Sequence, residues 1–105
     1  KELGKKFGPI DLGFGNLGAY NFYPIVPIKD KSTAHANPEE LLSLMKDLKV
    51  KKIIGMHWGT AILSLEPIWE PPVRFKENAE KFGYKKEEAI IFKIGEIKKL
   101  EDLIN

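Results

Sequence analysis

The stretch Ile53-Ile54-Gly55-Met56-His57-Trp58-Gly59-Thr60 joins a short apolar run to a histidine and a glycine turn. The apolar run predicts a strand over Lys52–Met56 that is buried inside a sheet. This strand would place the imidazole of His57 at its C-terminal end, where the backbone breaks at Gly59. Strand ends are where α/β proteins carry their chemistry, and neutral imidazole is both a common zinc ligand and a good general base. His57 is therefore the first candidate functional residue.

Strand and helix signals alternate along the rest of the chain. The sequence Asn37-Pro38-Glu39-Glu40 is a strong helix start, because asparagine caps, proline fits the first turn and two carboxylates face the positive end of the helix dipole. Strands are predicted at 10–14, 52–56 and 89–94, and helices at 1–7, 37–49, 72–83 and 96–104. The order strand, helix, strand, helix, strand indicates an α/β fold.

The predicted strands are apolar without alternation, as in Ile53-Ile54 and Ile90-Ile91-Phe92. Such strands are typical of sheets that are covered on both faces. A sheet of about three strands is too small to cover both of its own faces, so we expect an incomplete domain. The chain also begins at Lys1 without an initiator methionine, which predicts a processed protein or a piece of a longer one.

Three segments are predicted to be irregular: the glycine-rich residues 15–20, residues 21–36 with two prolines, and residues 60–71 with Pro67. Long irregular segments in a compact domain are usually functional or disordered. Just after the predicted strand at 52–56, Trp58 is expected to belong to the core and Gly59-Thr60 to form a turn. Tyr20 either lines a cleft or packs its own loop, and the second interpretation is favoured.

Composition excludes several classes of protein. The chain has 105 residues, of which 43% are hydrophobic and 30% charged, as expected of one small globular domain. A net charge of +2, with Arg74 as the only arginine, argues against nucleic-acid binding. The absence of cysteine excludes disulfides and thiolate zinc ligands. No apolar run approaches the ~20 residues of a membrane span and no signal peptide is visible, so we expect a cytoplasmic protein, with association to a membrane surface left open.

Histidine content limits the metal hypothesis. A lone histidine after a strand is more often a capping or core residue than a ligand. Zinc sites use three or four protein ligands. The chain has two histidines, His35 and His57, so its sequence contains one piece of a metal site and not a whole one.

Six short phrases follow one another along the chain: Phe7-Gly8-Pro9-Ile10-Asp11-Leu12, Gly18-Ala19-Tyr20, His35-Ala36-Asn37-Pro38-Glu39-Glu40, Met56-His57-Trp58-Gly59-Thr60, Glu70-Pro71-Pro72 and Lys93-Ile94-Gly95-Glu96. Together they resemble the C-terminal part of the metallo-β-lactamase-fold hydrolases of the N-acylphosphatidylethanolamine phospholipase D type. The resemblance covers residues 1–96.

This resemblance implies an αββα sandwich with two zinc ions at one edge. Residues 1–105 would be the C-terminal part of that single domain, and the upstream half, with its His-x-His-x-Asp-His motif, a further histidine and a bridging aspartate, is absent from this chain. The last metal ligand of the family maps onto His57. A histidine that contacts the substrate head group maps onto His35. Residues 21–34 depart from the relatives' pattern, which leaves the choice of substrate open.

The implied activity is hydrolysis of a phosphodiester, such as a phospholipid, by a hydroxide that two zinc ions activate. The implied partners are the remainder of the chain's own domain and the phosphodiester or phospholipid substrate. Because this chain supplies one metal ligand, we expect it to be inactive alone. The alternative is a non-catalytic α/β fragment that binds a partner chain through its uncovered sheet. For His35, the alternative is a solvated loop residue.

Overall fold

Three parallel strands form the sheet on which the helices pack. In a computed structural model, which describes residues 1–22 and 35–105, the strands are β1 (Ile10–Asn16), β2 (Val50–Met56) and β3 (Ala89–Ile91). Their order is β1-β2-β3, and Gly55 of the central strand lies opposite Gly15 of β1 and Ile91 of β3. Because helices connect these parallel strands, the predicted α/β class is confirmed.

The helices are α1 (Glu2–Phe7), α2 (Pro38–Asp47), α3 (Glu70–Asn78) and α4 (Leu100–Ile104), with a 3-10 turn at Ala79–Phe82 directly after α3. In sequence, α2 lies between β1 and β2, and α3 lies between β2 and β3, so the chain contains two successive β-α-β units. The segment predicted to be irregular at 21–36 falls largely on residues 23–34, outside the described part of the chain.

The predicted start of α2 is confirmed by a capping box. The side-chain oxygen of Asn37 accepts a hydrogen bond from the Glu40 amide at 2.9 Å, and the Glu40 carboxylate accepts one from the Asn37 amide at 3.2 Å. These two bonds satisfy amides that have no partner within the helix. The helix ends at Asp47, two residues before the predicted end, and Lys49 then turns the chain into β2 with a φ of 58°.

One face of the sheet is covered by α2 and α3. The core between them and the sheet includes the buried side chains Leu41, Leu42, Met45, Ile53 and Phe75. A Cβ atom at Gly15 would lie 2.3 Å from Cδ1 of Leu41, so only glycine lets α2 approach β1 this closely. The prediction of a loop starting at residue 15 is therefore wrong, because this glycine serves close packing inside a strand and not a turn.

The opposite face of the sheet is only partly covered by the described residues. Leu103 of α4 is buried, and Lys52 on this face donates a hydrogen bond to the Asn105 carbonyl at 3.4 Å. Phe14, Met56 and Ile94 remain 61%, 49% and 85% exposed. The prediction of strands covered on both faces holds for Ile53-Ile54 in the centre of β2, where both side chains are buried, and fails towards the strand ends.

Three predicted boundaries after β2 are wrong for identifiable reasons. β3 ends at Ile91 and not at residue 94, because the next residues form a turn in which the Glu96 carboxylate accepts a hydrogen bond from the Lys93 amide at 2.7 Å. α4 begins at Leu100 and not at residue 96, after the same turn, where Gly95 has a φ of 82°. α3 begins at Glu70 and not at residue 72, because its two prolines are tolerated within the first turn, where their missing amides would have no partner in the helix.

We expect Asn37→Ala to lower the free energy of unfolding by about 1 kcal/mol, because the Glu40 amide loses its acceptor. Asn37→Ser, which keeps a capping oxygen, should lose much less. Urea denaturation of the two variants and the wild type measures both effects. Equal stability of Asn37→Ala and the wild type would show that the capping box does not contribute.

Candidate functional site

His57 lies immediately after β2, at the carboxyl edge of the sheet, as predicted. Its backbone has a φ of 60°, a left-handed conformation that costs a non-glycine residue about 1–2 kcal/mol. This turn takes the chain out of the sheet and leaves the His57 side chain exposed. Backbone strain of this kind persists only where surrounding interactions hold it, and it is concentrated at functional sites.

The second predicted site residue, His35, lies beside the first. The centroids of the two imidazole rings are 5.0 Å apart, with the ring planes tilted by 41°. Nδ1 of His35 is 3.3 Å from the carbonyl oxygen of Gly18, and since a carbonyl oxygen can only accept, Nδ1 carries the proton of this hydrogen bond. The structure thus brings together two histidines that are 22 positions apart in the sequence.

Gly18 connects the two histidines through its backbone. Its amide donates a hydrogen bond to the carbonyl oxygen of His57 at 3.1 Å, while its own carbonyl accepts the bond from His35. A Cβ atom at Gly18 would lie 2.5 Å from the His57 oxygen, so a larger residue would push the two segments apart. The residue that bonds the His35 ring and the His57 backbone is therefore glycine for a steric reason.

The carboxylate of Glu66 holds the segment that contains Gly18. It accepts hydrogen bonds from the amides of Ala19 at 2.5 Å and Asn21 at 3.1 Å, and from the hydroxyl of Ser64 at 2.5 Å. Burial raises the pKa of Glu66, but the hydrogen bonds from Ser64 and from the backbone outweigh this effect, and the pKa is lower than usual. Glu66 is therefore an anion at neutral pH.

A second carboxylate, Glu70, binds the side chain of Tyr20 on the same segment. The Tyr20 hydroxyl donates to Glu70 at 3.0 Å, and Arg74 donates to the same carboxylate oxygen at 3.0 Å. Arg74 also donates to both oxygens of Glu39, at 3.2 and 2.7 Å, and Asn78 adds a further bond to Glu39 at 3.0 Å. This cluster joins α2, α3 and the segment after β1.

Tyr20 packs its own loop, as favoured from the sequence, and does not line a cleft. Its side chain has no exposed surface, and Arg74 lies over its ring at 5.0 Å from the centroid. Burial, followed by the hydrogen bond to Glu70, raises the pKa of the Tyr20 phenol. Burial lowers the pKa of Arg74, but its hydrogen bonds to Glu39 and Glu70 outweigh that effect and raise the pKa overall. Tyr20 is thus neutral and Arg74 cationic throughout the physiological range.

Two concave surfaces adjoin His57. A pocket of about 40 Å³ lies between the residues that follow β1 and those that follow β2, and its lining includes Gly18, Ala19, Trp58, Ser64 and Glu66. An apolar groove of about 350 Å³ lies on the partly covered face of the sheet, lined by Phe14, Ile54, Gly55, Met56, His57, Trp58, Phe92 and Ile94. Trp58, expected in the core, is partly buried and packs against it.

Sequence reasoning missed Glu66, Glu70 and Arg74 as parts of this site. Ser64 and Glu66 lie in a segment that the sequence predicts only to be irregular. The two backbone amides that Glu66 binds are 47 and 45 positions away in the sequence. Glu70 belongs to the Glu-Pro-Pro phrase at 70–72, for which the sequence predicts no role of the carboxylate. Only the folded chain places these acids beside the segment after β1.

Within residues 1–22 and 35–105, no three His, Cys, Asp or Glu side chains lie together in a way that could hold a metal ion. In that same part of the chain, no helix is both long and apolar enough to cross a membrane.

We expect Arg74→Met to lower the free energy of unfolding by about 1–3 kcal/mol, because it leaves two partly buried carboxylates without their cation. Lys51→Met is the matched control: it breaks an ion pair with Asp11 whose partners are 56% and 62% exposed, which should change stability by less than about 1 kcal/mol. Chemical denaturation at pH 7 compares them. Equal losses would mean that the Arg74 cluster stabilises no more than an exposed pair.

Comparison with known proteins gives partial matches to one named group. The chain is 45% identical over 51 residues to the mitochondrial N-acyl-phosphatidylethanolamine-hydrolyzing phospholipase D of Saccharomyces cerevisiae, a match over 49% of this chain and 11% of the yeast protein. It is 35% identical over 78 residues to N-acyl-phosphatidylethanolamine-hydrolyzing phospholipase D 1 of Caenorhabditis elegans, a match over 73% of this chain and 20% of the nematode protein. No protein-family model matches the chain.

The chain thus corresponds to a fifth or less of the length of these two relatives. Within that part, the similarity supports a relationship to hydrolases named N-acyl-phosphatidylethanolamine-hydrolyzing phospholipase D.

Proposed function

We propose that this chain is part of a metal-dependent hydrolase that cleaves a phosphodiester bond of the N-acylphosphatidylethanolamine type. The observation that carries the proposal is the pair of imidazoles, 5.0 Å apart, at the carboxyl edge of a parallel sheet. Both histidines lie in phrases that resemble this family, and the partial similarity to two proteins of that name supports the same conclusion.

We further propose that residues 1–105 belong to a single metallo-β-lactamase-like domain with an αββα sandwich. The support is the uncovered apolar surface of the sheet, where Phe14, Met56 and Ile94 are exposed. A second layer from the remainder of the same domain would remove these side chains from water, which stabilises a fold by about 25 cal/mol per Å² of apolar surface. Among the described residues, α2 and α3 cover the other face, and only the short helix α4 lies over this one.

His57 fits one position in a zinc site. Its side chain is exposed, carries a nitrogen donor that zinc favours, and follows a central strand whose neighbours on both sides restrict its movement. The described residues contain no group of three possible ligands, so the other ligands of two zinc ions would come from the rest of the protein. Bound zinc lowers the pKa of water and offsets negative charge on phosphoryl oxygens.

His35 fits a role in binding and orienting the substrate. The hydrogen bond from its Nδ1 to the Gly18 carbonyl fixes the direction of the ring. In the protonated ring, Nε2 is also a donor and can bind a phosphate oxygen. Such a charged hydrogen bond contributes about 1.5–3 kcal/mol, which is enough to affect turnover and not enough to account for catalysis.

A non-catalytic binding module is the second candidate, and the partly covered sheet face favours it. The apolar groove of about 350 Å³ on that face would receive a partner chain. Activity separates the two candidates, because a binding module would show no dependence on the two histidines in any hydrolytic assay.

In the complete enzyme, we expect His57→Ala to abolish phosphodiesterase activity and to lower metal content at one of two sites. His35→Ala should leave both metals bound and lower kcat/KM by about 10- to 150-fold, the equivalent of one charged hydrogen bond. Elemental analysis alongside steady-state kinetics with N-acylphosphatidylethanolamine separates the roles. A His57 variant with two metals and a normal rate would refute the ligand assignment.

We expect the 105-residue chain alone to bind zinc weakly and to hydrolyse no phosphodiester, since His57, even with His35, leaves most of the coordination shell to water. Calorimetric titration with zinc, repeated with the His57→Ala chain, measures this. Stoichiometric zinc binding by a monomer at sub-micromolar concentration would contradict it.

A further inference from the structure

We propose that Glu66 is a positioning residue: its carboxylate holds the backbone of residues 18–21, which in turn sets the position of the His35 ring. The catalytic consequence of this inference rests on the proposed function, whereas its structural part does not.

Glu66 binds backbone groups that lie far away in the sequence. One carboxylate oxygen accepts from the Ala19 amide, and the other accepts from the Asn21 amide and the Ser64 hydroxyl. A backbone hydrogen bond from the Leu65 amide to the Asn21 carbonyl, at 2.8 Å, reinforces the same contact. The segment after β2 is thus hydrogen-bonded to the segment after β1 at two alternate residues, Ala19 and Asn21.

Ala19 needs such an anchor because its backbone is strained. Its φ is 61°, a left-handed conformation that disfavours alanine because the Cβ atom crowds the following carbonyl oxygen. The amide of this strained residue is the one that donates to Glu66 at 2.5 Å. A hydrogen bond from an amide to a carboxylate is stronger than one between neutral groups, so it offsets the strain.

Gly18 transmits this constraint to the histidines. It directly precedes Ala19, and its carbonyl oxygen accepts the hydrogen bond from His35. The Gly18 amide donates a hydrogen bond to the His57 carbonyl, so Gly18 is hydrogen-bonded at both its amide and its carbonyl. The Gly18 carbonyl and the Ala19 amide belong to one planar peptide group, which Glu66 holds through the amide and Nδ2 of Asn16 holds through the carbonyl at 2.9 Å. If the bond to Glu66 is lost, this peptide group can rotate about its remaining contact and move the His35 ring.

A carboxylate is required here because three donors converge on it. An ionised carboxylate offers only acceptors, so both of its oxygens can face N–H or O–H groups. The lowered pKa of Glu66 agrees with this environment. Glutamine has nearly the same shape but replaces one oxygen with an NH2 group, which would face a donor and lose at least one of the bonds.

The structural part is tested on the chain with Glu66→Gln. Amide hydrogen exchange at Ala19 and Asn21 should accelerate by about tenfold or more, and the nuclear Overhauser effect between the His35 and His57 rings should weaken. Glu77→Gln, the same change on an exposed carboxylate of α3, should leave both signals unchanged. Ser64→Ala, which removes one donor and keeps the carboxylate, is expected to give a smaller effect in the same direction and serves if Glu66→Gln does not fold.

The catalytic part is tested by a double-mutant cycle in the complete enzyme. Glu66→Gln should lower kcat/KM several-fold with both metals retained, and should cause little further loss when His35 is already alanine. A merely structural role would give the same loss in both backgrounds. That result, or unchanged exchange at Ala19 and Asn21, would overturn the proposal. If the wild-type enzyme cleaves no phosphodiester, the proposed function fails, and the exchange and ring measurements alone decide the positioning role.

Discussion

The site depends on the parallel pairing of β1 and β2, which continues beyond the strands themselves. The Leu17 amide donates to the Met56 carbonyl at 2.9 Å, and the Gly18 amide donates to the His57 carbonyl at 3.1 Å. Parallel strands end at the same edge of a sheet, so the segments that leave them begin side by side. Because the ladder extends one residue past β2, the residues after β1 lie against His57 from the start of its loop.

Two carboxylates hold these residues from the side of α3. Glu66 binds the backbone at Ala19 and Asn21, and Glu70 binds the hydroxyl of the intervening Tyr20. The two acids differ in how their charge is balanced. The negative charge of Glu66 is stabilised by neutral hydrogen-bond donors. Glu70 instead forms an ion pair with Arg74, and Arg74 forms a second ion pair with Glu39. Partial burial makes these interactions worth more than the exposed pair between Lys51 and Asp11.

The two faces of the sheet differ in a way that agrees with the proposed function. One face carries a packed core under α2 and α3, with Leu42, Ile53 and Phe75 fully buried. The other has an apolar groove beside His57. Under the proposed function, further metal ligands and a further layer over this groove would both come from outside the described residues.

The sequence alone determined the local features of the fold and identified the two histidines as candidate site residues. Helix α2, its capping box and the strand before His57 follow from short patterns, because caps and apolar runs act over a few residues. Tertiary structure alone decided the remainder of the site. Glu66 reaches amides 45 and 47 positions away, and Arg74 reaches Glu39 35 positions away. Gly18 bonds histidines from two different loops, at the His35 ring and at the His57 backbone. Such contacts depend on the register of the parallel strands and on the close approach of α2 at Gly15, and no local pattern in the sequence encodes either.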